Sequence, residues 1–259
     1  MSRSLYRKLC LGFEGLGVMR MDWRHVLFLN YRYEPGVLET VVPEYLELDT
    51  FDGDAYVSVV AFVMENVAPR GSPVSLSFPE INLRTYVKGS RGDGIYFFSL
   101  DATDPLGVFL GRNVYHLPYS LAEISVKRWT LKGKGVSEKL KPSVRTDGHN
   151  GDEDLLDWEV EYRSERDGCE GAFDSTYSAR GGYLENDSLD DWLTERYGFY
   201  TDDRRFCGVE HQPWRLQEGS HELRENNLFE INGVPEAESE CFAHYSPGVE
   251  VTAGPPVRV

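Results

Sequence analysis

Apolar residues in this chain recur mostly with a period of two, the spacing of strands rather than helices. From Ala55 to Val67, Tyr56, Val60, Phe62 and Met64 fall on one face and Val57, Val59, Ala61 and Val63 on the other. An element apolar on both faces is covered on both, as in a barrel wall or a sandwich. Glu80 to Lys88 and Gly94 to Asp101 read as two further strands, joined by a hairpin through Lys88–Asp93 with its two glycines. Leu121–Leu131, Trp158–Arg163, Ala172–Ala179, Phe199–Thr201, Cys207–Leu216 and Phe242–Val251 complete the strand set, with a hairpin at Asp167-Gly168. Three segments carry helical spacing instead. Glu34–Leu46 has Pro35 at its first position and a Val37, Leu38, Val41, Val42 stripe. The second opens on Asp104-Pro105 and places Leu106, Phe109, Leu110, Val114 and Leu117 as its apolar face; the third runs from a Ser188 cap to Glu195. Strands in runs with a few helices between them, and no alternating βαβ units, predict a mostly β (α+β) fold: a curved antiparallel β-barrel enclosing a cavity.

The same pass divides the chain into a loose extension over 1–20, a single domain over 21–252 and a tail over 253–259, with a polar exposed loop or hairpin tip at Lys132–Asp157. No apolar run reaches the roughly 18 residues of a membrane span. The short run Leu9–Val18 is interrupted by Glu14 and lacks a cleavage site, so a signal peptide is not predicted and a cytoplasmic location is expected.

Composition narrows the function classes. A net charge of −16 makes nucleic acid and anionic membranes poor partners. Forty-three carboxylates against 27 basic residues predict an acidic surface of the kind that keeps proteins of halophilic archaea soluble in concentrated salt. Cys10, Cys169, Cys207 and Cys241 form no Cys-x-x-Cys pair and the histidines show no ligand spacing, so neither a metal nor another cofactor is expected. Nucleophile-elbow and phosphate-loop signatures are also missing.

The most informative stretch is Phe78-Pro79-Glu80-Ile81-Asn82-Leu83-Arg84-Thr85-Tyr86-Val87. With period two, a carboxylate, an amide, a guanidinium and a phenol (Glu80, Asn82, Arg84, Tyr86) share one face at intervals of roughly 7 Å. On pattern alone that row fits a solvated face as well as a cavity wall. The lack of Lys and Asp in it, and the apolar strand that follows, favour the cavity.

This row, together with Met21-Asp22-Trp23-Arg24, Leu48-Asp49-Thr50-Phe51-Asp52-Gly53, Phe97-Phe98-Ser99-Leu100-Asp101, Leu117-Pro118-Tyr119, Leu193-Thr194-Glu195-Arg196-Tyr197 and His244-Tyr245-Ser246-Pro247-Gly248-Val249, resembles the YqjF-like family of uncharacterised proteins, a branch of the acetoacetate-decarboxylase-like superfamily. The resemblance spans about Met21 to Val251 and implies a curved barrel around an internal cavity. Decarboxylases of that superfamily form an imine through a lysine in a Pro-Lys-Lys-Leu-Ala context, activated by its neighbour. The matching stretch here is Pro118-Tyr119-Ser120-Leu121-Ala122, and neither Tyr119 nor Ser120 forms an imine. Lys127 lies further along and lacks the motif. Imine-based decarboxylation is therefore not expected, while Glu80 and Arg84 still match the superfamily's polar cavity strand.

Two readings stay open. One is a pocket that binds a small, anionic organic molecule, with Asn82, Arg84, Tyr86, Phe97, Ser99, Tyr115, Arg196, Tyr200 and His211 as ligand-binding candidates. The other is a non-covalent acid/base enzyme of lyase, hydratase or isomerase type acting on a keto or hydroxy acid. Its catalytic candidates are Glu80, Tyr119 and His116, with Arg84 holding the carboxylate. A protein-interaction role is less favoured, because no exposed apolar stripe is identifiable. The sequence leaves a homo-oligomer open.

Overall fold

The computed structural model describes residues 17–130, 156–166, 168–185 and 188–259. Its strands are β1 (Met19–Tyr33), β2 (Glu47–Leu48), β3 (Ala55–Pro69), β4 (Leu76–Gly89), β5 (Gly92–Ala102), β6 (Tyr119–Leu121), β7 (Glu123–Thr130), β8 (Leu156–Arg166), β9 (Cys169–Tyr183), β10 (Gly198–Thr201), β11 (Arg205–His211), β12 (Gln217–Asn226), β13 (Phe242–Ala253) and β14 (Val257–Arg258). Short helices cover Pro35–Leu38, Pro105–Asn113, Ser188–Thr194 and Leu228–Ile231. Among the described residues no helix is long and apolar enough to cross a membrane.

Seven strands close a barrel in the order β11-β10-β5-β4-β3-β1-β13, and β13 returns to β11 through Val209↔Ala253, Glu210↔Thr252 and His211↔Val251. Closure removes exposed sheet edges. The barrel is antiparallel except where β10 runs parallel beside β5. From β13 the sheet continues outward as a wing, β12-β9-β8-β7. The two faces of the β1, β3 and β4 wall therefore serve two cores. Val60, Phe62 and Met64 point into the barrel with Phe28 and Phe78. Val57, Val59, Ala61, Ile81 and Leu83 point outward and pack under the wing against Trp158, Val160, Tyr162 and Phe173. The two-faced apolar pattern of β3 is the signature of a wall with a core on each side.

Three bulges decide which residues face inward. In β1, His25 and Val26 together oppose Phe62, so the inward set shifts from Met19, Met21 and Trp23 to Val26 and Phe28. His25 has φ 54°, and the strand needs that left-handed residue to absorb the extra position. Asn66, at φ 55°, does the same in β3, and Phe98 is the unpaired residue of β5 opposite Leu83–Arg84.

Several expectations need correction. The first helix covers only Pro35–Leu38, because Thr40, Val41 and Val42 are β-branched and Pro43 has no N–H to continue it. Strands β1 and β12 and the helix Leu228–Ile231 were not expected. In β1, Val26 to Tyr31 are all buried, so no polar alternation marks it. The helix Pro105–Asn113 forms as predicted, with Asp104 accepting from Gly107 N at 2.7 Å, but only Leu110 and Leu117 of its predicted apolar face reach the cavity. Leu106, Phe109 and Val114 are exposed, and the helix lies on the barrel through Gly107, Val108 and Gly111. A Cβ at Gly107 would sit 2.7 Å from the Phe78 ring, and one at Gly111 would overlap the Tyr119 ring. The two glycines let aromatic rings rest on the helix backbone, which no larger residue permits. The extension through residue 16, the predicted loop through 155, Asp167 and the Ser188 side chain lie outside the described residues.

Candidate functional site

The barrel encloses a cavity of about 120 Å³. Three of the four residues of the row predicted on β4, Glu80, Asn82 and Arg84, form one wall of it together with Phe78, and Tyr86 does not line it. The helix Pro105–Asn113 closes one side with Gly107, Leu110 and Gly111, and the segment after the helix Ser188–Thr194 brings in Arg196.

Glu80 is buried, at 2% exposure. Its Oε2 accepts a 2.5 Å hydrogen bond from the Tyr119 hydroxyl and its Oε1 a 3.2 Å bond from Asn82 Nδ2. Burial pushes the carboxyl up to about 7. The Tyr119 and Asn82 hydrogen bonds and the Arg84 charge oppose that rise, and the Asp101 charge adds to it. Burial and the adjacent carboxylate hold the Tyr119 phenol well above its ordinary value, so it remains a proton donor to Glu80.

The two arginines differ. Arg196 Nη1 donates to Asp49 Oδ2 at 2.7 Å and its Nε to the Trp192 carbonyl at 2.7 Å. Asp49 is itself buried and also takes Lys88 at 2.6 Å. The Arg84 guanidinium, at 6% exposure, makes no ion pair or hydrogen bond among the described residues, its buried Nε included, and its charge acts on Glu80 without contact. It lies over the Phe28 ring at 5.5 Å and 5.9 Å from the centroid of Tyr86. A buried guanidinium supported only by ring faces is under-compensated.

Of the other candidates, Tyr119, Phe97, Tyr115, Arg196 and His211 line the cavity. His211 is pinned there, with Nδ1 2.8 Å from the Gln212 carbonyl and Nε2 3.2 Å from that of Arg196. The Tyr115 hydroxyl is buried without a hydrogen-bond partner. Four candidates lie elsewhere. Ser99 pairs with Leu83 and shares its outward face, because the bulge at Phe98 inverts the alternation of β5. Tyr86 sits beyond the floor of the cavity, its hydroxyl bonded to Ser58 Oγ at 2.7 Å. Tyr200 faces away from its cavity-lining neighbour Phe199; its hydroxyl donates to the Gly92 carbonyl and accepts from Arg91 N, clamping the β4–β5 turn. His116 follows the lid helix at φ 58° and pairs with Asp203 at 3.2 Å, half-buried and outside the cavity.

Sequence reasoning missed Trp23, Phe28, Trp214 and the three methionines Met19, Met21 and Met64, all of which line the cavity. The apolar spacing of β1 was the available signal for four of the six, Met19, Met21, Trp23 and Phe28. No lysine lines it among the described residues; Lys127 is on the wing, 2.9 Å from Glu161. Nor do the described residues hold a cluster of three or more His, Cys, Asp or Glu fit for a metal.

Comparison with known proteins places these features in a lineage. Residues 20–250 match the model of the DUF2071 family, described as an uncharacterized conserved protein. The uncharacterized protein YqjF of Bacillus subtilis (strain 168) is 36% identical over 250 residues, 93% of either chain. Among solved structures, acetoacetate decarboxylase from Legionella pneumophila superposes with a TM-score of 0.57 at 13% identity, over 93% of this chain and 88% of that one. The enduracididine biosynthesis enzyme MppR, in a structure complexed with pyruvate, does so with a TM-score of 0.58 at 12% identity, over 93% and 89%. These structural likenesses establish an acetoacetate-decarboxylase-like fold.

Proposed function

This chain belongs to the DUF2071 family of uncharacterized conserved proteins, and for this member we propose that the barrel binds a small organic acid without covalent attachment. One observation carries the reading: the Arg84 guanidinium is buried at the cavity with no ion pair or hydrogen bond among the described residues, and the Glu80 carboxyl that feels its charge is itself pushed up to about 7 by burial. A carboxylate supplies the missing charge and a planar pair of acceptors matched to the guanidinium fork. Among the described cavity residues no amine stands ready to attack a carbonyl, so the ligand is held by charge and shape.

The test is thermal stabilisation by a panel of carboxylates, starting with pyruvate, the ligand named with the MppR structure. A ligand that binds only the folded state raises the melting temperature. The expected result is a rise with wild type that Arg84→Met abolishes, and no adduct after borohydride treatment. An equal rise in the variant would refute the role of Arg84, and a trapped adduct would refute non-covalent binding.

A second reading is favoured by the Glu80–Tyr119 pair. A carboxyl titrating near neutrality, with a phenol bonded to it, suits proton transfer beside a bound carbonyl. Turnover of any acid that binds, lost in Glu80→Gln while binding persists, distinguishes an enzyme from a binding protein.

A further inference from the structure

The cavity is polar at one end and apolar at the other, and strand register gives the order. Arg84 is the innermost cavity residue of β4. Asn82 follows opposite Val60, then Glu80 opposite Phe62, then Phe78 opposite Met64. Met64 in turn pairs with Trp23, and beyond it come Met21 and Met19 on β1. The steps along β4 are roughly 7 Å each. Along β1, β3 and β4 burial follows the same axis, while Phe97, Leu110 and Leu117 on the facing side are half-buried. Arg84, Asn82, Glu80 and Phe78 are buried, whereas Met19, Met21, Trp23 and Val67 are only half-buried. The mouth therefore lies at the methionine end and the cation at the closed end.

From this polarity, and resting on the organic-acid reading above, we infer that the ligand class is an amphipathic monocarboxylate, taken head-first, with its carboxylate at Arg84 and an unbranched or flexible apolar tail in a methionine-lined sleeve. A second charged group on the tail would come to rest among Met64, Met21 and Trp23, where nothing repays its lost hydration. Thioether side chains are unbranched and polarizable, and they adapt to tails of differing shape. All three described methionines of the chain line this one cavity. Size sets the range: an apolar protein cavity of roughly 150 Å³ admits benzene, so about 120 Å³ encloses no more than about six non-hydrogen atoms, and a longer tail runs out along the methionines of the mouth.

The experiment is calorimetric titration of the full chain with acetate, butyrate, hexanoate and octanoate, and with succinate and adipate as dicarboxylates. Affinity should rise about fourfold per added methylene up to hexanoate and then level off. Adipate should bind at least tenfold more weakly than hexanoate. Met21→Thr, at the half-buried rim, should shrink the hexanoate-to-acetate ratio. Acids that bind with no dependence on chain length, or dicarboxylates that bind as well as hexanoate, would overturn this inference and leave the organic-acid reading standing. Failure of every acid to bind wild type would overturn both.

Discussion

The Tyr119 hydroxyl and the Glu80 carboxylate share a 2.5 Å hydrogen bond inside the barrel, bringing a residue of the short strand β6 onto the polar row of β4. Glu80 titrates near 7 because burial penalises its charged form. The sign of the resulting pH dependence follows directly. In the unfolded chain the carboxyl loses its proton near 4, whereas in the fold it keeps it to about 7, so unfolding releases a proton between those values. This group's stabilisation is complete below the unfolded value and is lost as pH rises through the folded one, by about 3 kcal/mol in all. Urea unfolding of wild type and Glu80→Gln from pH 4.5 to 8 checks this. Wild type should weaken relative to the variant across that interval, and parallel curves would contradict it.

Tyr119→Phe removes one of the two donors that favour the charged form of Glu80. Without it the carboxyl should titrate at still higher pH, a shift readable by NMR of a carbon-labelled glutamate side chain. Stability above pH 7 should fall by about 1–3 kcal/mol, the range for a buried acceptor left under-satisfied.

Arg84 and Arg196 should respond in opposite ways. Asp49→Asn strips the buried Arg196 of its carboxylate and should cost about 3 kcal/mol. Arg84→Met removes a buried charge that no described carboxylate meets in an ion pair, so stability measured without added acid should be unchanged or higher. Thermal melts of both variants in a carboxylate-free buffer decide the point. A large loss in the Arg84 variant would reveal an internal partner.

The lid helix provides a test in which propensity and packing have opposite signs. In an exposed helix, Gly→Ala stabilises by about 1 kcal/mol. Here Gly111→Ala drives a methyl into the Tyr119 ring and should destabilise by about 1–3 kcal/mol, disturbing the Glu80 hydrogen bond with it. Phe109→Ser on the outward face, 58% exposed, should stay within about 0.5 kcal/mol. Melting temperatures of the pair, with the Glu80 titration as a second readout, separate the two faces.

Much of this architecture was legible in the chain. The doubly apolar face of Ala55–Val67 and the hairpin glycines at Lys88–Asp93 came from local chemistry, and so did the Asp104-Pro105 helix start. So did the row Glu80, Asn82, Arg84, because side-chain alternation needs nothing beyond the strand itself. Other features were settled only by the tertiary structure. A bulge leaves little trace in composition, yet the one at Phe98 turned Ser99 outward and kept Leu100 inward. The lid helix exposes Leu106 and Phe109 and makes its closest contact through Gly107 and Gly111, because the rings of Phe78 on β4 and Tyr119 on β6 needed that space. The pairing of Arg196 with Asp49, 147 positions away, left Arg84 as the under-compensated cation. Local alternation decides which side chains can share a face; only closure of the barrel decides which face becomes a chamber and which charges in it meet a partner.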